Sequence, residues 1–142
     1  MIVLDTDHLS CLEWGSDESA ALRERLAATV DTTIVVSIVS YEEQMRGWMA
    51  YLAKVPQVTK QVEIYSRLQR HIQLYCSIPL LHFSSAAADK FQELRQQKIR
   101  IGTMDLKIAA SCLTENALLL TRNSVDFSQV PGLRFENWTQ TP

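Results

Sequence analysis

Residues 102–110, GTMDLKIAA, place one carboxylate at the start of an otherwise apolar helix. Leu106 and Ile108 belong to an apolar surface that covers most of the helix, so we expect this helix to pack on several sides. Thr103 is a candidate N-cap, and Asp105 in the first turn faces the positive end of the helix dipole. The favourable interaction of an acid with the N-terminus of a helix would by itself explain Asp105. However, three other apolar segments also end on, or just before, an acid, so a shared site is the second interpretation.

Short apolar runs alternate with helical patterns along the chain, which predicts an α/β sandwich with a mainly parallel central sheet of four to five strands flanked by helices. The predicted strands are residues 1–4, 33–37, 78–83, 117–121 and 133–138. With 142 residues, 46% of them hydrophobic, the chain suits a single domain over residues 1–142.

Apolar residues spaced three and four apart predict the helices between these strands. The predicted helices begin near residue 6 and cover residues 16–30, 38–55, 56–76, 84–98 and 103–113. Ser40 and Glu43 match a capping box, which would need no further chemistry. The apolar stripe predicted for residues 56–76 consists of Val58, Val62, Tyr65, Leu68, Ile72 and Tyr75.

Composition argues against several classes of protein. No apolar run approaches the roughly 18 residues of a membrane span, and the first residues lack the basic region and long apolar core of a signal peptide. We therefore expect a cytoplasmic protein. Its cysteines, Cys11, Cys76 and Cys112, are odd in number and have no metal-type spacing, so they are expected to be reduced and mostly buried. The three histidines are expected to be packed or surface residues rather than ligands.

Charge is unevenly distributed along the chain. Residues 1–43 carry nine acids and two bases, whereas residues 44–104 carry nine bases and three acids. A basic middle beside an acidic pocket would suit a polyanion held against bound metal. A helix surface kept soluble by Lys and Arg would give the same pattern.

Acids follow the predicted strands at their carboxyl ends. Asp5 follows the first strand, Glu42 and Glu43 lie just past the second, and Asp126 lies just past the fourth. Parallel strands open their ligand sites at this edge, and right-handed crossovers would bring Asp105 to it. Crowded carboxylates need cations, and an all-oxygen site suits Mg²⁺ or Mn²⁺, which assist phosphodiester hydrolysis.

These segments also carry a family resemblance that spans nearly the whole chain. The motifs are MIVLDTD (1–7), SYEEQMRG (40–47), IGTMDLKIAA (101–110), TRNSVDF (121–127) and VPGLRFENW (130–138). In combination they resemble PIN-domain nucleases, most closely the VapC-type toxins of toxin–antitoxin operons. The resemblance implies a Mg²⁺- or Mn²⁺-dependent endoribonuclease with a parallel sheet, usually dimeric. It also implies silencing by a VapB-like antitoxin whose tail enters the acidic groove.

The resemblance assigns the metal-binding and catalytic acids residue by residue. Asp5 falls on the first family acid, Glu43 fits the second better than Glu42, and Asp105 falls on the third. Many members carry the fourth acid where this chain has Asn123, whereas related toxins use the residue before Phe127. We therefore favour Asp126 at the fourth position, with Asn123 assisting.

Other residues are expected to support the site or contact RNA. Thr6 and Thr121 are candidates to hydrogen-bond the acids, as metal sites generally require. Arg46 and Arg122 are candidates for charge-assisted contacts with RNA phosphates. An apolar group on the helix over residues 38–55 is a candidate dimer face and consists of Trp48, Met49 and Tyr51.

Two competing functions remain open on the sequence. LDTD after a strand also resembles the loop of haloacid dehalogenase-type phosphatases, in which Asp5 would be the nucleophile and Asp7 the acid. His8 departs from that pattern, and no late pair of acids completes it. The other alternative is a catalytically inactive PIN-like module that binds RNA or protein, against which the acids at the first three positions argue.

Overall fold

The computed structural model describes residues 1–15 and 17–140, and within them strands and helices alternate. The strands are β1 (Ile2–Leu4), β2 (Ile34–Ser37), β3 (Leu80–Leu81), β4 (Leu118–Leu120) and β5 (Arg134–Glu136). The helices are α1 (Thr6–Trp14), α2 (Asp17–Ala27), α3 (Ile38–Lys54), α4 (Val58–Ser77), α5 (Ser85–Gln96), α6 (Thr103–Thr114) and α7 (Ser124–Phe127). The predicted start of the second helix at Ser16, and Thr141 and Pro142 of the predicted domain, lie outside the described residues.

The described strands form one sheet in the order β3-β2-β1-β4-β5, and every neighbouring pair is parallel. The predicted α/β sandwich with a parallel sheet is therefore confirmed. Leu4 at the end of β1 pairs with Val36 of β2 and Leu120 of β4. The chain thus leaves three adjacent strands at one edge, which is where parallel sheets place ligand sites.

Helices cover both faces of this sheet. Val3 points into a core formed with α5 and α6, where Ile108 is fully buried. Ile2 and Leu4 point into a second core with α1, α2 and α4. Because successive strand residues face opposite sides, the three consecutive apolar residues of β1 supply both cores.

The strands at the two edges of the sheet are shorter than predicted. The strand predicted over residues 78–83 pairs only at Leu80–Leu81, and the strand predicted over residues 133–138 pairs at Arg134–Glu136. The short helix α7 was not predicted. Its four residues are too few for a periodic pattern, and it starts where the Asn123 side chain accepts a bond from the Asp126 N–H.

Two predicted helix caps are wrong. Helix α3 begins at Ile38, directly after β2, and is capped by Ser37, whose hydroxyl accepts a bond from the Val39 N–H at 3.1 Å. Ser40 lies inside this helix, fully buried, so it forms no capping box with Glu43. Helix α6 has Gly102 at its N-cap, with no side-chain bond there, and Thr103 is its first residue.

The apolar stripe predicted for α4 points mostly to solvent. Val58 is 75% exposed and Val62 is 67% exposed, whereas Ile64, His71 and Tyr75 are buried. The core-facing side of α4 therefore carries a histidine and a tyrosine, because polar atoms on α3 receive their hydrogen bonds. The exposed apolar side remains available to a binding partner.

The remaining composition-based expectations concern cysteines and membranes. Cys11 and Cys112 are buried thiols, Cys76 is an exposed thiol, and all three are free. Among the described helices, none combines the length and the apolar character that a membrane crossing requires.

Candidate active site

Asp5 is a buried acid at the carboxyl edge of the sheet. It caps α1 and is 6% exposed. Its Oδ1 accepts a bond from the Thr6 N–H at 2.8 Å, and its Oδ2 accepts one from the Thr121 hydroxyl at 2.7 Å. Burial raises the pKa of Asp5 above its ordinary value, and the Thr121 bond partly offsets that rise. The ends of β1 and β4 together therefore orient this carboxylate.

Asp7 joins α1 to the segment after β4. Its Oδ2 accepts a bond from the Arg122 N–H at 2.8 Å, and its Oδ1 lies 2.6 Å from Nδ1 of His8. His8 is fully buried, and its Nε2 accepts a bond from the Trp138 N–H at 3.1 Å. Burial opposes ionisation of Asp7, but the His8 and Arg122 bonds outweigh it and lower the pKa of Asp7. Asp7 is thus a structural clamp rather than a helix cap.

Sequence reasoning missed this clamp because its partners are far apart along the chain. His8 and Trp138 are 130 residues apart. The local sequence shows only that a histidine follows Asp7 just after a strand. That pattern does not identify Arg122 and Trp138 as the partners of the two side chains.

Asn123 bridges Asp105 and Asp126. Its Nδ2 donates to Asp126 Oδ2 at 3.0 Å and lies 3.3 Å from Asp105 Oδ2. Its backbone N–H donates to the Thr121 hydroxyl at 3.0 Å, which links this pair to the hydroxyl that holds Asp5. Both candidates for the fourth position therefore lie in one hydrogen-bonded cluster.

The electrostatics of Asp105 show that this cluster carries excess negative charge. Burial, together with the charges of Asp5, Glu43 and Asp126, raises the pKa of Asp105 from 3.8 to about 6. These residues come from four separate elements of the chain. The raised pKa therefore reflects a partly buried carboxylate with other acids close by and no base to offset them among its causes.

Of the two adjacent glutamates on α3, Glu43 is the one coupled to the acid cluster. Burial and the charge of Asp5 raise the pKa of Glu43. Glu42 instead forms an ion pair with Arg46 at 2.6 Å on α3. The assignment of Glu43 to the second acidic position stays a prediction, and its electrostatic coupling to Asp5 favours it over Glu42.

The donor chemistry of the cluster fits a hard divalent cation. Among residues 1–15 and 17–140, no three His, Cys, Asp or Glu side chains are close enough to form a ready-made metal cage. Mg²⁺ does not need one, because it takes one or two carboxylates and keeps several waters. The carboxylate oxygens here, with their accumulated negative charge, match that preference better than the preference of zinc for sulfur and nitrogen.

The predicted supporting residues have different surroundings. Thr121 gives its hydroxyl to Asp5, whereas Thr6 contributes its backbone N–H. The guanidinium of Arg122 is held by Glu18 at 2.5 Å and by Thr139 at 3.1 Å, so a phosphate would have to compete with a carboxylate for it. The Arg46 side chain is 71% exposed beside Glu42.

The family comparison covers nearly the whole chain. The family model of the PIN domain matches residues 2–133. Ribonuclease VapC2 of Rickettsia felis is 35% identical over 75 residues, which are 49% of this chain and 56% of that protein. Ribonuclease VapC1 of Haemophilus influenzae strain R2866 is 29% identical over 108 residues, which are 75% of each protein. The chain thus aligns with little more than half of the Rickettsia relative.

Solved structures share the fold along the full length. The VapBC2 structure from Rickettsia felis, bound to a DNA fragment from its promoter, gives a TM-score of 0.72 at 28% identity and covers 97% of this chain and 99% of that chain. The VapBC-1 structure from nontypeable Haemophilus influenzae gives a TM-score of 0.69 at 23% identity and covers 99% and 100% of the two chains. The latter similarity concerns the fold alone.

Proposed function

Because the chain belongs to the PIN-domain family, we propose that it is a Mg²⁺- or Mn²⁺-dependent endoribonuclease and the toxin of a VapBC-type toxin–antitoxin pair. The relatives named ribonucleases support the reaction class. The observation that carries the proposal is the acid cluster at the carboxyl edge of the sheet, where burial and the neighbouring acids raise the pKa of Asp105 to about 6.

Asp5, Glu43, Asp105 and Asp126 are the residues that would hold the metal. When bound, a divalent ion supplies positive charge to phosphate oxygens and makes water a stronger nucleophile at neutral pH. The chain itself orients the oxygens: the Thr121 hydroxyl fixes Asp5, and the Asn123 amide holds Asp126 beside Asp105. Orientation of this kind limits the rearrangement that ion binding requires.

Basic residues outside the cluster would bind the RNA backbone. Lys60, Arg67 and Arg70 lie on α4, and Arg46 lies on α3. These helices pack on each other, and Arg67 and Arg70 line the same pocket as Gln44, the residue after Glu43, whereas Lys60 lies near the connection between the two helices. RNA would lie between the basic side chains and the acid cluster, and its phosphates would contact the basic side chains on one side and the bound metal on the other.

A protein partner is part of the proposal. The similarity to the VapBC2 structure supports a VapB-like antitoxin, and the exposed apolar side chains support a homodimer. Met49 on α3 is 51% exposed, and Val62 and Tyr65 on α4 are 67% and 56% exposed. Light scattering of the purified chain, alone and with the product of the adjacent small gene, measures both associations.

The test is cleavage of RNA by the purified chain with Mg²⁺, Mn²⁺ or EDTA, with mapping of the cut ends. Asp105→Asn should abolish cleavage, because it removes one acid of the cluster while keeping size and shape. Asp89→Asn makes the same chemical change on an exposed position of α5 and is the matched control. Full activity of Asp105→Asn, or of the wild type in EDTA, would overturn the proposal.

The phosphatase alternative requires Asp5 to be an accessible nucleophile. Asp5 is only 6% exposed, which argues against direct attack on the phosphorus of a substrate. An aspartyl-phosphate trapped on Asp5 from a small phosphate ester would favour the phosphatase. An inactive RNA- or protein-binding module would bind RNA but leave it intact in both metals.

A further inference from the structure

A pocket of about 360 Å³ lies between α1, α3 and α4, beside the acid cluster but outside it. Its lining includes Gln44, Gly47, Trp48 and Tyr51 of α3, with Glu13 of α1. Gln44 directly follows Glu43, and α1 begins directly after Asp5. The same two elements that carry acids therefore also form pocket walls.

The walls are aromatic and basic. The rings of Trp48 and Tyr51 have their centroids 6.4 Å apart, with their planes tilted by 49°. The guanidinium of Arg67 lies 5.4 Å from the centre of the Trp48 ring, and Arg70 on the same side of α4 also lines the pocket. Aromatic faces beside guanidinium groups are the combination with which proteins hold unpaired bases and their phosphates.

The floor is polar and fixed in orientation. Gln44 Oε1 accepts bonds from the Tyr75 hydroxyl and from Nε2 of His71, the latter at 2.5 Å. His71 is 4% exposed, and its Nδ1 lies 3.4 Å from the carboxylate of Glu13. Burial and the charges of Glu43 and Asp5 raise the pKa of Tyr75, so its hydroxyl keeps the proton that it donates.

This network leaves the Gln44 amide nitrogen for a ligand. With Oε1 occupied twice, the Nε2 group carries two N–H donors that have no acceptor among the described residues. Glu13 supplies carboxylate oxygens as acceptors at the same pocket. A flat ligand with acceptors and donors on its edge satisfies both groups, whereas an apolar peptide side chain satisfies neither.

We infer that this pocket binds one unpaired nucleobase of the RNA, stacked against Trp48 and Tyr51 with its edge toward Gln44 and Glu13. RNA as the ligand rests on the proposed function. The pocket size favours the inference, because it is near the small end of ligand pockets and too small for a helix. The pocket makes cleavage depend on base identity near the cut, which phosphate contacts alone cannot do.

Gly47 offers a way to fill the pocket without disturbing the fold. A Cβ added at Gly47 meets no atom within 4 Å, and leucine is a better helix former than glycine. Gly47→Leu should therefore place its side chain in the pocket. Ala50→Leu adds the same side chain at an exposed position of the same helix that does not line the pocket, so it is the matched control.

The experiment is fluorescence anisotropy in EDTA, where RNA binds without being cut. The probes are short labelled homopolymers of each base and an abasic ribose-phosphate chain of equal length. For the wild type and Ala50→Leu, at least one homopolymer should bind about 10-fold or more tightly than the abasic chain. Gly47→Leu should reduce that ratio to nearly one while leaving the affinity for the abasic chain unchanged.

Equal affinity of the wild type for all probes would overturn the inference, as would a base preference that survives in Gly47→Leu. If the base preference survives in Gly47→Leu, the base binds elsewhere, and the pocket would instead accept a peptide side chain of a partner. A parallel cleavage assay in Mg²⁺ separates the two proposals. If the protein cleaves RNA but binds all probes equally, the nuclease proposal stands and the base pocket is wrong. If binding depends on the base but no RNA is cleaved, the base pocket stands and the nuclease proposal is wrong.

Discussion

Replacing Asp105 by Asn should stabilise the metal-free protein at neutral pH. The pKa of Asp105 is raised from 3.8 to about 6, first by burial and then by the neighbouring acids. A difference of this size corresponds to about 3 kcal/mol of unfavourable free energy in the ionised folded state. The side chain is partly exposed, so solvent screening reduces this to about 1–2 kcal/mol. Asn also gives up a helix-dipole interaction worth about 0.3–1 kcal/mol, which leaves a net gain of roughly 1 kcal/mol.

The gain should depend on pH in a defined direction. Well below pH 3.8, Asp105 is protonated in both the folded and unfolded states, so its pKa shift contributes nothing. As pH rises from about 4 to about 6, the unfolded chain ionises first, and the wild type loses stability relative to Asp105→Asn. Above this window both states are ionised, and the difference between the two proteins should stay constant.

The assay is urea unfolding in EDTA at a series of pH values, because urea leaves electrostatic interactions unscreened. Asp89→Asn on the exposed side of α5 is the control, and it should stay within about 0.5 kcal/mol of the wild type. Added Mg²⁺ binds only the folded state and therefore stabilises it. The wild type should gain more stability than Asp105→Asn, because the variant lacks one of the acids proposed to hold the ion. A destabilised Asp105→Asn, or a gain that does not change with pH, would refute the reasoning.

Further predictions concern the groups around the cluster. Thr121→Val removes the hydroxyl that holds Asp5, so the Mg²⁺ concentration for half-maximal cleavage should rise about 10-fold, whereas Thr121→Ser should keep the wild-type value. His8→Ala breaks two buried contacts and should lower the free energy of unfolding in urea by about 3 kcal/mol, whereas His82→Ala, at an exposed position, should change it by less than about 0.5 kcal/mol. The logarithm of RNA affinity should fall linearly with the logarithm of salt concentration, by about 0.7 for each phosphate neutralised, and a flat response would remove the basic helices from the binding surface.

The position of the acids could be predicted from local patterns. A short apolar run followed by Asp5 indicates the end of a buried strand, and a parallel sheet brings such ends to one edge. Asp105 could be placed because Gly102 and the apolar residues after it mark a helix start. In each case the decisive residues lie within about one helical turn of the acid, so the sequence contains the information.

Features that depend on three-dimensional packing could not be predicted. Ser37 and Ser40 are three residues apart and match helix caps equally well, and the end of β2 decides between them. The apolar side of helix α4 is wider than the part that is buried, so the sequence could not show which part of that side faces the core. Its buried side is set by Gln44, which accepts the hydrogen bonds of His71 and Tyr75 from a different helix.

The central position of β1 has a consequence for protein synthesis. β1 is made first, yet one of its neighbours in the sheet is β4, and the hydroxyl that orients Asp5 belongs to Thr121. A growing chain therefore has no complete acidic site until residues 121–126 have emerged from the ribosome. Under the proposed nuclease function, an unfinished copy would not cut the message being translated, because the earliest and latest segments of the chain must meet to complete the acid cluster.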